Sequence, residues 1–243
     1  MQSSLSSDKT KPKIIATIPC YNNEPWIADI ISVAKEYTDQ VLVIDDGSRD
    51  RTPEVAKTAG ALVISHKENM GYGEAIKTCF HAAKECCADI LVTVDGDGQH
   101  NPEEIPLLLA PIIEGKADVV IGSRFLTDEI TMPRYRKFGI DIITFLFNLG
   151  SKTKVSDTQS GFRAYSRRMI ETLLLSESGM SISIESIEKA RRNGAIITEV
   201  PISCFYEVST MNPHAFRHGL GVALSVVKIR LEQSLFKRNS RNG

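Results

Sequence analysis

Short apolar runs and amphipathic stretches alternate five times between residues 14 and 122, and no other feature narrows the fold as much. Runs at 14–18, 41–44, 61–65, 90–94 and 118–122 have strand length, and the segments between them carry helical spacing. Over 25–37, Ile27, Ile30, Ile31 and Ala34 recur on one face of a helix. Thr52-Pro53 is a good helix start, with proline in the first turn. A third helix opens at Asn69-Met70-Gly71-Tyr72-Gly73 and runs to Cys86, and a fourth is expected over 102–114. Such alternation predicts an α/β protein with a mainly parallel central sheet flanked by helices on both faces.

The remainder changes rhythm. An amphipathic helix is expected over 132–149, a helix over 182–193 and a strand-like run over 196–205 that contains Pro201. A last helix is expected over about 214–237, with Leu220, Leu224, Val227 and Leu231 on one stripe and a basic end. No repeat or low-complexity linker marks a boundary. The expected division is a polar tail over 1–13, one domain over 14–212, and a C-terminal amphipathic basic helix over 213–243.

Two of the strand ends carry chemistry. The run at 41–44 leads into Asp45-Asp46-Gly47-Ser48, and the run at 90–94 into Asp95-Gly96-Asp97-Gly98-Gln99-His100. Open α/β sheets bind ligands just beyond the carboxyl ends of their strands. Two carboxylates on one tight turn suit Mg²⁺ or Mn²⁺ shared with substrate phosphates, because Mg²⁺ takes few protein ligands. A nucleoside-diphosphate site follows. A net charge of −1 argues against a partner held by a basic surface, so no nucleic acid is expected. Five cysteines (Cys20, Cys79, Cys86, Cys87, Cys204) form no C-x-x-C pair and are odd in number. They read as buried small hydrophobes in a reducing compartment rather than a disulfide framework or zinc site. The polar N-terminus lacks a signal-peptide core, and no run approaches the roughly 18 apolar residues of a membrane span.

These residues resemble a known family. Ile18-Pro19-Cys20-Tyr21-Asn22, the two acidic turns, Asn69-x-Gly71-x-Gly73, Gly122-Ser123-Arg124, Asp157-Thr158-Gln159-Ser160-Gly161-Phe162-Arg163 and Glu199-Val200-Pro201-Ile202 are similar to family 2 glycosyltransferases of the GT-A fold. The set looks like the dolichyl-phosphate mannose synthase and polyprenyl-phosphate glycosyltransferase branch. The resemblance implies a nucleotide-binding half over about 14–124 and an acceptor half over about 125–212. It places Pro19, Tyr21, Glu24, Asp46, Gly71, Gly73, Asp95 and Gly96 around the nucleotide, with Tyr21 packing on the base and Asp46 accepting a base N–H. Asp95, Asp97 and Gln99 would hold Mg²⁺ or Mn²⁺, Asp97 also counting as catalytic. His100 reads as structural.

A lipid phosphate is already anionic, so such an acceptor needs positive groups rather than a general base, and arginine grips phosphate through its planar fork. Arg124, Arg134, Arg136 and Arg163 are the candidates, with Arg124 also catalytic and Glu185 an acidic residue near the acceptor. The implied reaction is a single inverting displacement from a nucleoside-diphosphate sugar (GDP-mannose or a UDP-hexose) to dolichyl or polyprenyl phosphate. Its implied setting is peripheral, at the cytoplasmic face of a membrane. Two departures stand out. Family members often read Tyr-Asn-Glu after the first strand, whereas Tyr21-Asn22-Asn23-Glu24 shifts the glutamate by one. The loop over 206–213 lacks the family's basic residues, which leaves His214, Arg217 or His218 to replace them. Rival readings are a family 2 transferase acting on a glycan, with Glu185 as base, and a nucleotide-sugar-binding module without turnover.

Overall fold

The computed structural model describes residues 11–127, 134–149, 151 and 153–205, with the side chains of 134–136 outside that set. The terminal helix expected over 213–243, the loop over 206–213 and most of the tail over 1–13 lie outside the described residues. Seven strands form one sheet: β1 Ile14–Cys20, β2 Gln40–Asp45, β3 Leu62–Ser65, β4 Ile90–Thr93, β5 Val119–Ser123, β6 Arg163–Ser166 and β7 Ile197–Pro201. Their spatial order is β3-β2-β1-β4-β6-β5-β7. The helices are α1 Ile27–Tyr37, α2 Thr52–Thr58, α3 Tyr72–Glu85, α4 Ile105–Ile113, α5 Arg134–Asn148, α6 Arg167–Thr172 and α7 Ile182–Arg192.

The expected strands all form. Odd and even positions of β1 show why both faces need cover: Ile15 joins one apolar cluster, Ile14, Ala16 and Ile18 the other. Helices α3, α5, α6 and α7 pack on the first face, and α1, α2 and α4 on the second. The helix expected over 102–114 is interrupted. Asn101 caps a 3₁₀ turn over Pro102–Glu104, accepting from the Glu103 N–H at 3.1 Å, before α4 begins.

β6 was not anticipated. It runs antiparallel between β4 and β5, whereas β1–β2, β1–β4, β2–β3 and β5–β7 are parallel. Four residues opening with Arg163 carry no apolar run, yet Arg163, Ala164 and Tyr165 are buried because neighbours pair on both sides. This reversal has a functional consequence. The amino end of β6, Arg163, lies opposite Thr93 and Ile121, so the loop over 155–162 joins the ends of β1, β2, β4 and β5 at one sheet edge. Strand order also reverses between β1 and β4, where such sheets form a ligand crevice. Cys20 and Cys79 are buried as expected, while Cys87 is exposed. No helix among the described residues is long and apolar enough to cross a membrane.

Candidate active site

The turn after β2 is built around Asp46. Its carboxylate accepts from Met70 N–H at 2.9 Å and Gly71 N–H at 2.8 Å, and His66 Nδ1 lies 2.7 Å away. His66 Nε2 reaches Thr78 Oγ1 on α3 at 2.9 Å. Gly71 takes φ +94°, a conformation that favours glycine, and open space lies where its side chain would be. Asp46 therefore holds the Gly71 turn with the same oxygens expected to read a base. Gly73 packs closely: a Cβ there would stand 2.6 Å from Gly179 N, so its missing side chain lets α3 lie against the 177–179 loop. Gly96 acts likewise, its N–H on the Pro19 carbonyl at 3.3 Å and its missing side chain making room for Cys20. Tyr21, 39% exposed, stands clear at the end of β1. Glu24 accepts from the Arg51 N–H at 3.0 Å, bracing the neighbouring loop.

Beyond β4 the acidic turn is closely supported. Tyr72 O–H donates to Asp95 Oδ1 at 3.1 Å. A Cβ on Gly161 would fall on the Asp95 carboxylate, so this glycine lets the β6 entry lie directly against it. Burial pushes the Asp95 carboxyl above its ordinary value, against the Tyr72 hydrogen bond and the fields of Arg124 and Arg163. A nearby cation would favour its ionised form. Asp97 is exposed and accepts from Gln99 N–H at 3.0 Å and Gln99 Nε2 at 2.8 Å. His100 is buried, with Nδ1 3.7 Å from Asp95 Oδ2 and no hydrogen-bond partner for that nitrogen among the described residues. Burial pushes its pKa down to about 4, so it is neutral near pH 7. The segment leaving β7 crosses this turn, with Phe205 N–H on the Gln99 carbonyl at 2.8 Å. Among the described residues no three His, Cys, Asp or Glu side chains gather as a ready metal cage. Two carboxylates and an amide on one turn suit a hard divalent ion that completes its shell with phosphate oxygens and water.

Two of the candidate arginines are held by the protein itself. Arg124 is 8% exposed and grips Asp157 in a fork, Nε to Oδ2 at 2.6 Å and Nη2 to Oδ1 at 2.8 Å. Asp157 is held in turn by Glu199 on β7, whose carboxylate accepts from the N–H groups of Ser156 at 2.7 Å and Asp157 at 3.0 Å. Arg163 is 2% exposed and donates to the Ser183 carbonyl, Ser186 Oγ and the Thr158 carbonyl. Both guanidinium forks are thus engaged by protein acceptors. Arg134 and Arg136 stand on the first turn of α5, and their side chains lie outside the described residues. Glu185 is likewise engaged within the protein. Its carboxylate accepts from Ser176 N–H, Ser176 Oγ and Glu177 N–H and pairs with Lys189 at 2.7 Å, pinning the 176–177 loop. Burial pushes it up, but Lys189 and the loop donors outweigh that and hold it below its ordinary value.

Tyr72, Asp157, Glu199 and His66 support the site without having been assigned a role from sequence. Asp157 had a signal: an aspartate accepting from the N–H groups two and three residues on, here Gln159 and Ser160, is an Asx-type turn.

Residues 16–174 match the model of Glycosyl transferase family 2. A UDP-N-acetylglucosamine–dolichyl-phosphate N-acetylglucosaminyltransferase of Methanococcus voltae is 33% identical over 223 residues, 82% of this chain and 88% of its own. A dolichyl-phosphate hexose transferase of Haloferax volcanii is 33% identical over 217 residues, 88% of this chain and 92% of its own. In structure, glucosyl-3-phosphoglycerate synthase of Mycobacterium tuberculosis, solved with Mn²⁺, UDP and phosphoglyceric acid, superposes with a TM-score of 0.71 at 22% identity. That match covers 89% of this chain and 78% of the synthase, and it identifies the fold as GT-A. This chain belongs to glycosyl transferase family 2.

Proposed function

We propose that the protein is a metal-dependent, inverting hexosyltransferase that moves a sugar from a nucleoside-diphosphate donor to a polyprenyl phosphate. The observation that carries this is the Asp95-Gly96-Asp97 turn, set where strand order reverses and buttressed by Tyr72 and Gly161. Asp95, Asp97 and Gln99 would hold Mg²⁺ or Mn²⁺, which supplies Lewis-acid neutralisation of the diphosphate leaving group. Tyr21 and the open space at Gly71 bound the nucleotide side. A phosphate oxygen of the acceptor attacks the anomeric carbon in line as the bond to the diphosphate breaks, and no proton need be removed from the nucleophile.

The state of Glu185 favours this acceptor over a glycan. A hydroxyl acceptor needs a general base with a free lone pair, and Glu185 spends its oxygens on loop 176–177. With Arg124 and Arg163 turned inward, the acceptor phosphate falls to Arg134 and Arg136 on the first turn of α5. That helix carries Phe138, Ile142 and Phe145 exposed on one face, with Leu149 exposed just past its end, which suits a peripheral protein resting on lipid. The reducing, cytoplasmic side fits its cysteine usage. The named activities of the two dolichyl-phosphate relatives point the same way.

The test is incubation with Mn²⁺ or Mg²⁺, a short polyprenyl phosphate and a panel of labelled UDP- and GDP-sugars, following label into the organic phase. Transfer by the wild type and its loss in Asp97→Ala is the expected result. Nucleotide-sugar binding with no lipid labelling would overturn the acceptor and favour a binding module or another acceptor.

A further inference from the structure

Tyr72 joins two parts of the site that belong to different strands. It is the first residue of α3, and that helix starts where Asp46 of the β2 turn takes the N–H groups of Met70 and Gly71. From this anchored turn the ring reaches the end of β4, where its hydroxyl lies 3.1 Å from Asp95 Oδ1. The ring packs on the apolar cluster beneath the sheet. With Thr93, Ser160, Gly161 and Arg163 it borders a cavity of about 10 Å³, room for roughly one water.

Among the described residues Asp95 is otherwise shaped rather than hydrogen-bonded. Gly161 bounds its carboxylate by backbone alone, and His100 Nδ1 at 3.7 Å is beyond hydrogen-bond length. The terminal torsion of an aspartate is broad, so the Tyr72 hydroxyl is what selects one orientation of the carboxylate plane. We propose that Tyr72 is a positioning residue that presets Asp95 for the divalent ion and ties that ligand to the Gly71 turn. The inference rests on the metal reading above. Outer partners that orient a metal ligand typically contribute about ten- to a hundredfold in metal affinity or activity.

The chain contains one tryptophan, Trp26, and it lies against the acidic turn: a Cβ on Gly98 would be 2.7 Å from Trp26 Cδ1. Mn²⁺ is paramagnetic, so its binding can be followed by quenching of Trp26 and by loss of the free-ion spin-resonance signal. In Tyr72→Phe the ring, and with it the packing, is retained. The expected result is a roughly ten- to hundredfold weaker Mn²⁺ affinity, an unfolding midpoint in chelator like that of the wild type, and transfer restored by raising Mn²⁺. Wild-type Mn²⁺ affinity in Tyr72→Phe would overturn the inference, as would lost transfer that extra Mn²⁺ does not restore. A wild type with no saturable Mn²⁺ signal would instead overturn the metal assignment, and this inference with it.

Discussion

Asp157 is fully buried and among the described residues takes five hydrogen bonds, three from Arg124 and one each from the Gln159 and Ser160 N–H groups. Burial pushes its carboxyl up, but Arg124 outweighs that and holds it below its ordinary 3.8. Asp157→Asn leaves a buried guanidinium uncompensated and should cost about 3–5 kcal/mol in denaturant unfolding. The carboxylate's contribution is intact at neutral pH, begins to be lost as pH falls past 3.8, and is gone below the folded value. His100 acts in a higher window. Between its ordinary 6.5 and about 4, the unfolded chain binds a proton that the folded protein refuses. Metal-free protein should therefore lose stability as pH drops through that window, by up to about 3 kcal/mol, and His100→Asn should flatten the slope. Glu185 offers a sharper test of chemistry. Glu185→Gln should keep near-normal transfer, because its oxygens serve a loop; a fall in kcat of about a hundredfold or more would make it a base after all.

Helix α5 is apolar on two sides. Ile140, Ile143 and Phe147 pack inward, and Thr144 Oγ1 meets Thr158 Oγ1 at 3.0 Å on the loop that carries Asp157. Phe138 and Phe145 face outward at 68% and 65% exposure. A second apolar face on a helix calls for a second apolar partner, and the acceptor proposed above resides in one. Replacing both phenylalanines with serine should lower sedimentation of the full chain with anionic vesicles. Stability should move by no more than about 0.5 kcal/mol, as for surface changes that break no contact. Unchanged vesicle binding in that double variant would move the lipid contact elsewhere. β6 illustrates the opposite case, an element with no amphipathic signature whose existence depends on neighbours. Its four residues pair with β4 on one side and β5 on the other, and only that sandwiching brings Gly161 under Asp95.

For the molecule as a whole, chelation should abolish transfer, and Mn²⁺ or Mg²⁺ should restore it in the wild type but not in Asp97→Ala. Much of the framework behind that expectation was legible in the chain. The five alternating units, Ile27–Ile30–Ile31–Ala34 as a buried face, and the acidic turns ending β2 and β4 are local patterns, set by residue periodicity and turn chemistry within a few positions. What the side chains do at the sheet edge is not local. Arg124 meets Asp157 across 33 residues, Glu199 clamps Ser156 across 43, and Arg163 reaches the Ser183 carbonyl at the start of α7 across 20. An arginine bound for a phosphate and one bound for a buried carboxylate have the same local sequence signature, since partner choice depends on which segments the fold brings within about 3 Å. The sequence by itself determined the alternating strand–helix units of the parallel part of the sheet and the acidic turn. Tertiary structure decided which charges face the ligand and which are consumed in holding the site, because burying a charge requires a partner that only the finished fold supplies.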